Sequence, residues 1–244
     1  MRVLILGGTA EARALAAELA ARGVHVVSSL AGRVSNPRLP VGEVREGGFG
    51  GPKGLATWLR EHAVDRLVDA THPFAARMTA SAARAAGATG VPLLVLRRPG
   101  WPAEPGWQRV GSLQEAAARL RAPARVFLTT GRRSLPVFTG RPGIWLLARS
   151  VDPPEPPIPP NVHVVLDRGP YTLEGELALI REHRLDVLVT KDSGGELTSA
   201  KLDAARLLGM PVIMVDRPPP PAGVRLVETV AEAVAWIEGA GAQG

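Results

Sequence analysis

The sequence predicts an α/β protein of two Rossmann-like lobes, each a doubly wound parallel sheet, with a cleft between them. Three observations predict it. Short runs rich in Val, Ile and Leu alternate with Ala-rich stretches along nearly the whole chain. Strands that read as continuous apolar runs belong to parallel sheets covered on both faces. The alternation breaks at 97–106 (RRPGWPAEPG) and then resumes. The third observation is size: 244 residues, 45% of them hydrophobic and 21% charged, are enough for two small domains with real cores. The expected division is residues 1–97 and 98–244.

The elements follow in order. Arg2 to Leu6 is a buried strand. Thr9 to Arg22 is a helix with Leu15 and Leu19 on one face and Gly23 as its stop. Val24 to Ser28 is a strand, Gly54 to His62 a helix and Arg66 to Ala70 a strand. Pro73 to Ala86 is a helix with Pro73 near its first position, and with Phe74, Met78 and Ala82 at i, i+4 and i+8. Pro92 to Leu96 closes the first lobe as a strand. In the second, Ser112 caps a helix to Leu120, and Arg125 to Leu128 and Ile144 to Ala148 are strands. The run 152–160 (DPPEPPIPP) holds six prolines and is an extended loop. Val162 to Leu166 is a strand, Thr172 to His183 a helix, Asp186 to Val189 a strand, Thr198 to Leu208 a helix and Pro211 to Val215 a strand. A second Pro-rich loop, 216–223, leads to a closing helix over 229–239. No short-period repeat is visible.

Composition excludes several classes. With no Cys there is no disulfide, thiolate nucleophile or Cys-based metal site. No His pair has helical ligand spacing, so no metal is expected, and neither a G-x-S-x-G elbow nor a G-x-x-x-x-G-K-[ST] loop is present. No apolar run reaches the roughly 18 residues of a membrane span. The start reads as a first strand rather than a signal peptide, which makes the cytoplasm the expected compartment. The net charge is +6, and 26 of the 29 basic residues are Arg. That points to an anionic partner: nucleic acid, a phosphorylated cofactor or a polycarboxylate. Aromatics at 4% and scattered Arg positions argue against nucleic acid. A purely compositional bias reads the same excess.

The candidate chemistry sits at strand ends. Gly7-Gly8-Thr9-Ala10-Glu11 runs from the first strand straight into a helix, where backbone N–H groups and the helix N-terminus suit a phosphate. A plain tight turn capped by Thr9 is the alternative. The second strand ends in Ser28-Ser29 with Arg33 just beyond, where an NAD-binding unit usually carries a carboxylate. Hydroxyls and an Arg suit a 2′-phosphate, hence NADP; a solvated loop reads equally from the same residues. Asp69-Ala70-Thr71-His72-Pro73 ends a third strand and brings Thr71 or His72 to the cleft edge. In the second lobe Thr129-Thr130-Gly131-Arg132, Arg149, Arg168-Gly169-Pro170-Tyr171 and Thr190-Lys191-Asp192-Ser193-Gly194-Gly195 lie at or just beyond strand ends. The last combines one of three lysines with a carboxylate and hydroxyls. It reads as a carboxylate-binding or proton-supplying loop, or as an ordinary Asp-Ser-Gly-Gly turn.

Taken in order, these segments, with Lys201-Leu202, Ala204-Ala205-Arg206 and Arg217-Pro218, resemble the precorrin-6A reductase family of cobalamin biosynthesis. They are also similar to its cobalt-precorrin-6A relatives. The Pro-rich loops 152–160 and 216–223 and the tail after Gly239 are the least family-like parts. The resemblance implies an NADPH-dependent reduction of one ring C=C bond, converting precorrin-6A to precorrin-6B. The first lobe would hold NADPH: Gly7, Gly8, Thr9 and Glu11 near the phosphates, Ser29 and Arg33 at the 2′-phosphate, and Thr71 beside the cofactor. Arg132, Arg149 and Ser193 would face the carboxylates of an anionic tetrapyrrole. Lys191, Tyr171, Asp192 and His72 are the candidate proton donors. Two other readings stand beside this one. The first is a cobalt-precorrin-6A reductase using NADH. The second is a two-lobed small-anion binding protein without chemistry.

Overall fold

The computed structural model describes residues 1–31 and 39–239. The chain divides into two compact units, Met1–Pro99 with Pro218–Gly244, and Gly100–Arg217. It starts with β1 (Arg2–Leu6), α1 (Ala10–Ala21), β2 (His25–Leu30), β3 (Glu43–Glu46), α2 (Pro52–Glu61), β4 (Arg66–Asp69), α3 (Ala76–Thr89) and β5 (Leu93–Leu96). The second unit holds β6 (Gln108–Val110), α4 (Leu113–Arg119), β7 (Ala124–Leu128), α5 (Leu135–Phe138), β8 (Ile144–Ser150), β9 (Val162–Leu166), α6 (Leu173–Glu182), β10 (Val187–Lys191), α7 (Ala200–Leu207) and β11 (Val212–Val215). The chain then returns to the first unit with β12 (Arg225–Val227) and α8 (Val230–Gly239).

Each unit is built on one six-stranded sheet, in the orders β12-β5-β4-β1-β2-β3 and β6-β11-β10-β7-β8-β9. All pairings are parallel. The two orders are one pattern used twice. From β1 or β7 the sheet grows through two later strands on one side and three strands on the other. In both, the outermost of the three is out of turn: β12 arrives from the end of the chain, and β6 precedes its own sheet. The order reverses between β1 and β4, and between β7 and β10. In open α/β sheets ligands bind at such a reversal, beyond the carboxyl ends of the strands.

The core explains the strand runs. Side chains alternate across a strand. Val3 and Ile5 of β1 therefore join Leu15 and Leu19 of α1 and Ile237 of α8 on one face. Leu4 and Leu6 join Leu55 and Leu59 of α2 and Ala82 and Ala85 of α3 on the other. Both faces are covered, so β1 is apolar at every buried position. In the second unit Phe127, Leu147, Leu188 and Met214 pack against Ile180 of α6 and Leu202 of α7.

Three differences from the sequence expectation stand out. The last segment, with β12 and α8, belongs to the first unit, not to a second lobe over 98–244. β3, β6 and β12 are strands that the apolar pattern does not announce. α3 begins at Ala76, not Pro73. Residues 72–75 instead form a turn in which Ala75 N donates to His72 O at 2.7 Å and Phe74 N donates to His72 Nδ1 at 3.2 Å. Among the described residues no helix is long and apolar enough to cross a membrane.

Candidate functional site

In the first unit the reversal point is formed by the ends of β1, β2 and β4. Gly8 has φ +113, a conformation that glycine alone adopts without strain, and open space lies where a side chain would stand. Thr9 caps α1. Its Oγ1 accepts from Ala12 N at 3.1 Å and donates to Ala70 O at 2.8 Å. The hydroxyl expected at a cofactor thus bolts the end of β1 to the end of β4. What the turn leaves for a ligand is backbone: the N–H groups of Ala10 and Glu11 begin a helix and have no carbonyl four residues back. The Glu11 carboxylate is also engaged, in a 2.8 Å ion pair with Arg98. It helps fix the helix start rather than standing open to a ribose.

A pocket opens beside Gly7 and Gly8, with Ala12, Arg13, Ser28, Leu30 and Pro40 in its wall. Ser28 is 2% exposed, and its Oγ has no hydrogen-bond partner. A buried hydroxyl left unmatched costs about 1–3 kcal/mol. Alternation along β2 explains why Ser28 and not the expected Ser29 lines this wall: Val26 packs in the α1 face and Val27 in the opposite one. Ser29 instead contributes its carbonyl, which accepts from Gly7 N at 2.9 Å. Arg33 lies outside the described residues.

At the end of β4, Asp69 is 1% exposed. Its Oδ1 accepts from Thr71 N at 3.0 Å and Thr71 Oγ1 at 2.6 Å, while Oδ2 has no partner. Thr71 is therefore held in a tight Asx turn. The His72 ring is exposed and accepts at Nδ1 from Phe74 N, which places the ring proton of the neutral imidazole on Nε2.

In the second unit the expected residues divide sharply. Asp192 is 4% exposed. Its carboxylate accepts from Trp101 N at 2.9 Å and Arg109 Nη2 at 2.7 Å, and faces Arg217 Nη2 at 3.5 Å. Asp192, expected as a proton donor, is thus held inside the unit as an anchor for these three groups. Arg149 is likewise internal. Its Nη1 donates to Glu176 Oε1 at 2.7 Å, and its guanidinium lies 3.7 Å from the ring centre of Tyr171 and 4.8 Å from that of Phe127. It holds the core beneath α6 and does not face solvent as a substrate ligand would. The Tyr171 phenol donates to Asp167 O at 3.1 Å, and burial pushes its pKa up, so it is a poor proton donor here.

Three expected residues remain at the strand ends. Lys191, half-buried at the end of β10, has a pKa pulled down by burial. Ser193 N donates to Lys191 O at 2.7 Å, which curls the loop. Arg132 is half-buried beyond β7, with Nη1 on Pro153 O at 3.3 Å and Nη2 3.8 Å from Asp152. Sequence reasoning missed one titratable group. Lys201 is 4% exposed, donates from Nζ to Thr198 O, and lies 4.6 Å from the Trp101 ring centre. Burial first, and then the nearby Arg149 charge, push its pKa down to about 7, with Glu176 opposing. Its only sequence signal is a lysine at a position of α7 otherwise filled by Leu202, Ala204 and Ala205.

The two reversal points differ in the segment after their first strand. β1 runs through Gly7 and Gly8 into a 12-residue helix. β7 runs through Gly131 into a three-residue 3-10 turn and a four-residue helix. A helix of one turn offers little of the aligned dipole that favours an anion. The turn after β1, with its glycines and a long helix behind them, is the kind of platform a dinucleotide pyrophosphate uses.

The comparisons with known proteins agree with this architecture. Residues 2–238 match the family model described as precorrin-6x reductase CbiJ/CobK. A precorrin-6A reductase of Rhodococcus erythropolis is 56% identical over 240 residues, covering 97% of this chain and 97% of that protein. A cobalt-precorrin-6A reductase of Priestia megaterium is 30% identical over 231 residues, covering 88% and 90%. A solved structure of a CobK precorrin-6A reductase superposes with a TM-score of 0.93 at 44% identity, covering 99% of this chain and 97% of that one. With two reversal-point sheets of one order and a match along almost its entire length, the chain belongs to the precorrin-6x reductase family.

Proposed function

We propose that this protein is an NADPH-dependent precorrin-6A reductase of cobalamin biosynthesis, reducing one ring C=C bond to give precorrin-6B. The observation that carries the reading is the β1–Gly7-Gly8–α1 turn at a strand-order reversal, within a chain 56% identical to a precorrin-6A reductase. The residues present fit a dinucleotide. Gly8 leaves open space above the turn, the first N–H groups of α1 have no partner within the helix, and the unmatched Ser28 hydroxyl lies in the wall of the adjoining pocket. When bound, the nicotinamide supplies the hydride.

The chain's own residues do the rest. Gly7, Gly8 and the first turn of α1 bind the phosphates through backbone N–H groups. Ser28, with Arg13 in the same wall, takes the ribose end, and Arg33 adds the charge that favours a 2′-phosphate. Thr71, fixed by Asp69, orients the cofactor from the end of β4. In the second unit Arg132 and Ser193 take carboxylates of the tetrapyrrole. Lys191 holds the proton for the carbon that does not receive hydride. Its amine, already eased toward deprotonation by burial, gives up a proton more readily than an exposed lysine.

Three measurements test this reading. Nicotinamide fluorescence on titration with NADPH and NADH should show preference for NADPH. Arg33→Ala should weaken NADPH binding far more than NADH binding; an equal effect on both removes the 2′-phosphate assignment. Lys191→Met should lower kcat with precorrin-6A by about 10²- to 10⁴-fold, the usual worth of a general acid, and leave the NADPH Kd within about twofold. A preference for NADH would favour the cobalt-precorrin reading, and binding of neither cofactor would favour the small-anion binding protein.

A further inference from the structure

The chain passes between its two units twice, from Pro99 to Gly100 and from Arg217 to Pro218. On the second unit both are tied to one residue. Asp192 Oδ1 accepts from Trp101 N at 2.9 Å, and Asp192 O accepts from Arg217 Nε at 3.2 Å, with Arg217 Nη2 3.5 Å from Oδ1. Trp101 Nε1 donates to Gly195 O at 3.0 Å, so the first passage grips both ends of the Asp192–Gly195 loop. The approach is close: a Cβ on Gly100 would stand 2.7 Å from Asp192 Oδ2. On the first unit, Arg97 Nη2 donates to Pro218 O at 2.6 Å and to Pro73 O at 3.0 Å. It thereby joins the two passages to each other and to the loop after β4.

We propose that Asp192 is a positioning residue, a clamp through which the two connecting passages set the conformation of the Lys191–Gly195 loop. Arg97 is its counterpart on the loop that carries His72. A buried carboxylate held by three donors and approached by a glycine has one arrangement, so a shift of either passage is passed to the loop instead of being absorbed. The clamp stands on this geometry alone. Its coupling to a cofactor rests on the dinucleotide reading of the first unit.

Amide hydrogen exchange of the full chain, followed by mass spectrometry, tests it in two arms. Without ligand, Asp192→Asn should speed exchange at Trp101, at 216–217 and at 193–195 by tenfold or more, and leave 187–190 within β10 unchanged. Gly100→Ala, which keeps the carboxylate but displaces it, should give the same pattern; if only one variant folds, that one decides. Exchange at 193–195 unchanged in a folded variant overturns the clamp. With saturating NADPH, the wild-type chain should gain protection at both 97–101 and 193–195, and Asp192→Asn should keep the first and lose the second. Equal protection of 193–195 in both proteins overturns the coupling. If fluorescence shows that NADPH does not bind, the dinucleotide reading fails and the ligand-free arm still judges the clamp.

Discussion

Lys201 shows how much one buried side chain can say that its sequence position does not. Its amine titrates near 7 in the folded chain, against an ordinary value of 10.5. Between those values the unfolded chain carries a proton that the folded chain lacks. Stability should therefore rise with pH from about 7 upward and be flat with respect to this group below it. Lys201→Met removes the titration and keeps the bulk. Urea unfolding of both proteins at pH 6.5 and 9.5 should show the wild type gaining on the variant by about 2–4 kcal/mol, since one proton is worth roughly 1.4 kcal/mol for each pH step of one. Parallel behaviour would mean that the amine titrates as an exposed lysine does. The other residue-scale surprises have the same origin. Strand ends are legible in the sequence, and so are the residues clustered there. Which of those side chains the protein itself engages is not. The ties of Thr9 to Ala70, of Glu11 to Arg98, of Asp192 to Arg109 and of Arg149 to Glu176 span 27 to 87 residues of sequence. Spacing along the chain does not report such pairs.

Among the elements, the central strands and long helices are readable because each buries two faces or a full stripe. β1, β4, β7, β10 and β11 carry their buried positions as contiguous, mostly apolar runs. β3 (EVRE), β6 (QRV) and β12 (RLV) are not readable. They are short, polar strands at sheet edges, where one flank faces no partner strand and alternation has too few residues to register. The start of α2 is fixed instead by close approach. It lies so near Phe49 that a Cβ on Gly54 would stand 1.7 Å from Phe49 O, a backbone atom with nowhere to go. That backbone is held in turn by Arg45, which donates to Gly47 O and Gly48 O and stacks 3.8 Å over the Phe49 ring. Gly54→Ala must unseat either the helix start or this loop, a cost of about 3 kcal/mol or more by the scale of overpacked cores. Thermal unfolding should fall by roughly 6–12 °C for a chain of this size. Lys53→Ala, one residue earlier and exposed, should leave it unchanged.

At the scale of the whole molecule, the sequence shows two α/β halves but conceals how the chain is shared between them. A reader moving along the chain assigns everything after the break near residue 100 to the second half. The chain instead returns, and its last helix completes the first core. α8 seals the face of α1: Ala233, Val234 and Ile237 pack with Ala12, Leu15 and Leu19 over Val3 and Ile5. β12, on the outer side of β5, extends the same sheet. The first unit is thus built from both ends of the chain, and a defect near the C-terminus should be felt more than 200 residues away. Ile237→Ala tests this without removing an element. The side chain is fully buried, and its truncation should cost about 2–5 kcal/mol. At about 1.4 kcal/mol per factor of ten, amide exchange should speed by roughly 30- to 3,000-fold in β1, β4, β5 and α1. It should stay within a few-fold in β7, β8, β10 and α6, because units with separate cores open separately. A rise confined to the second unit would return α8 to the half where the sequence alone puts it. An equal rise in both would mean that the twice-crossed connection makes the molecule open as one body.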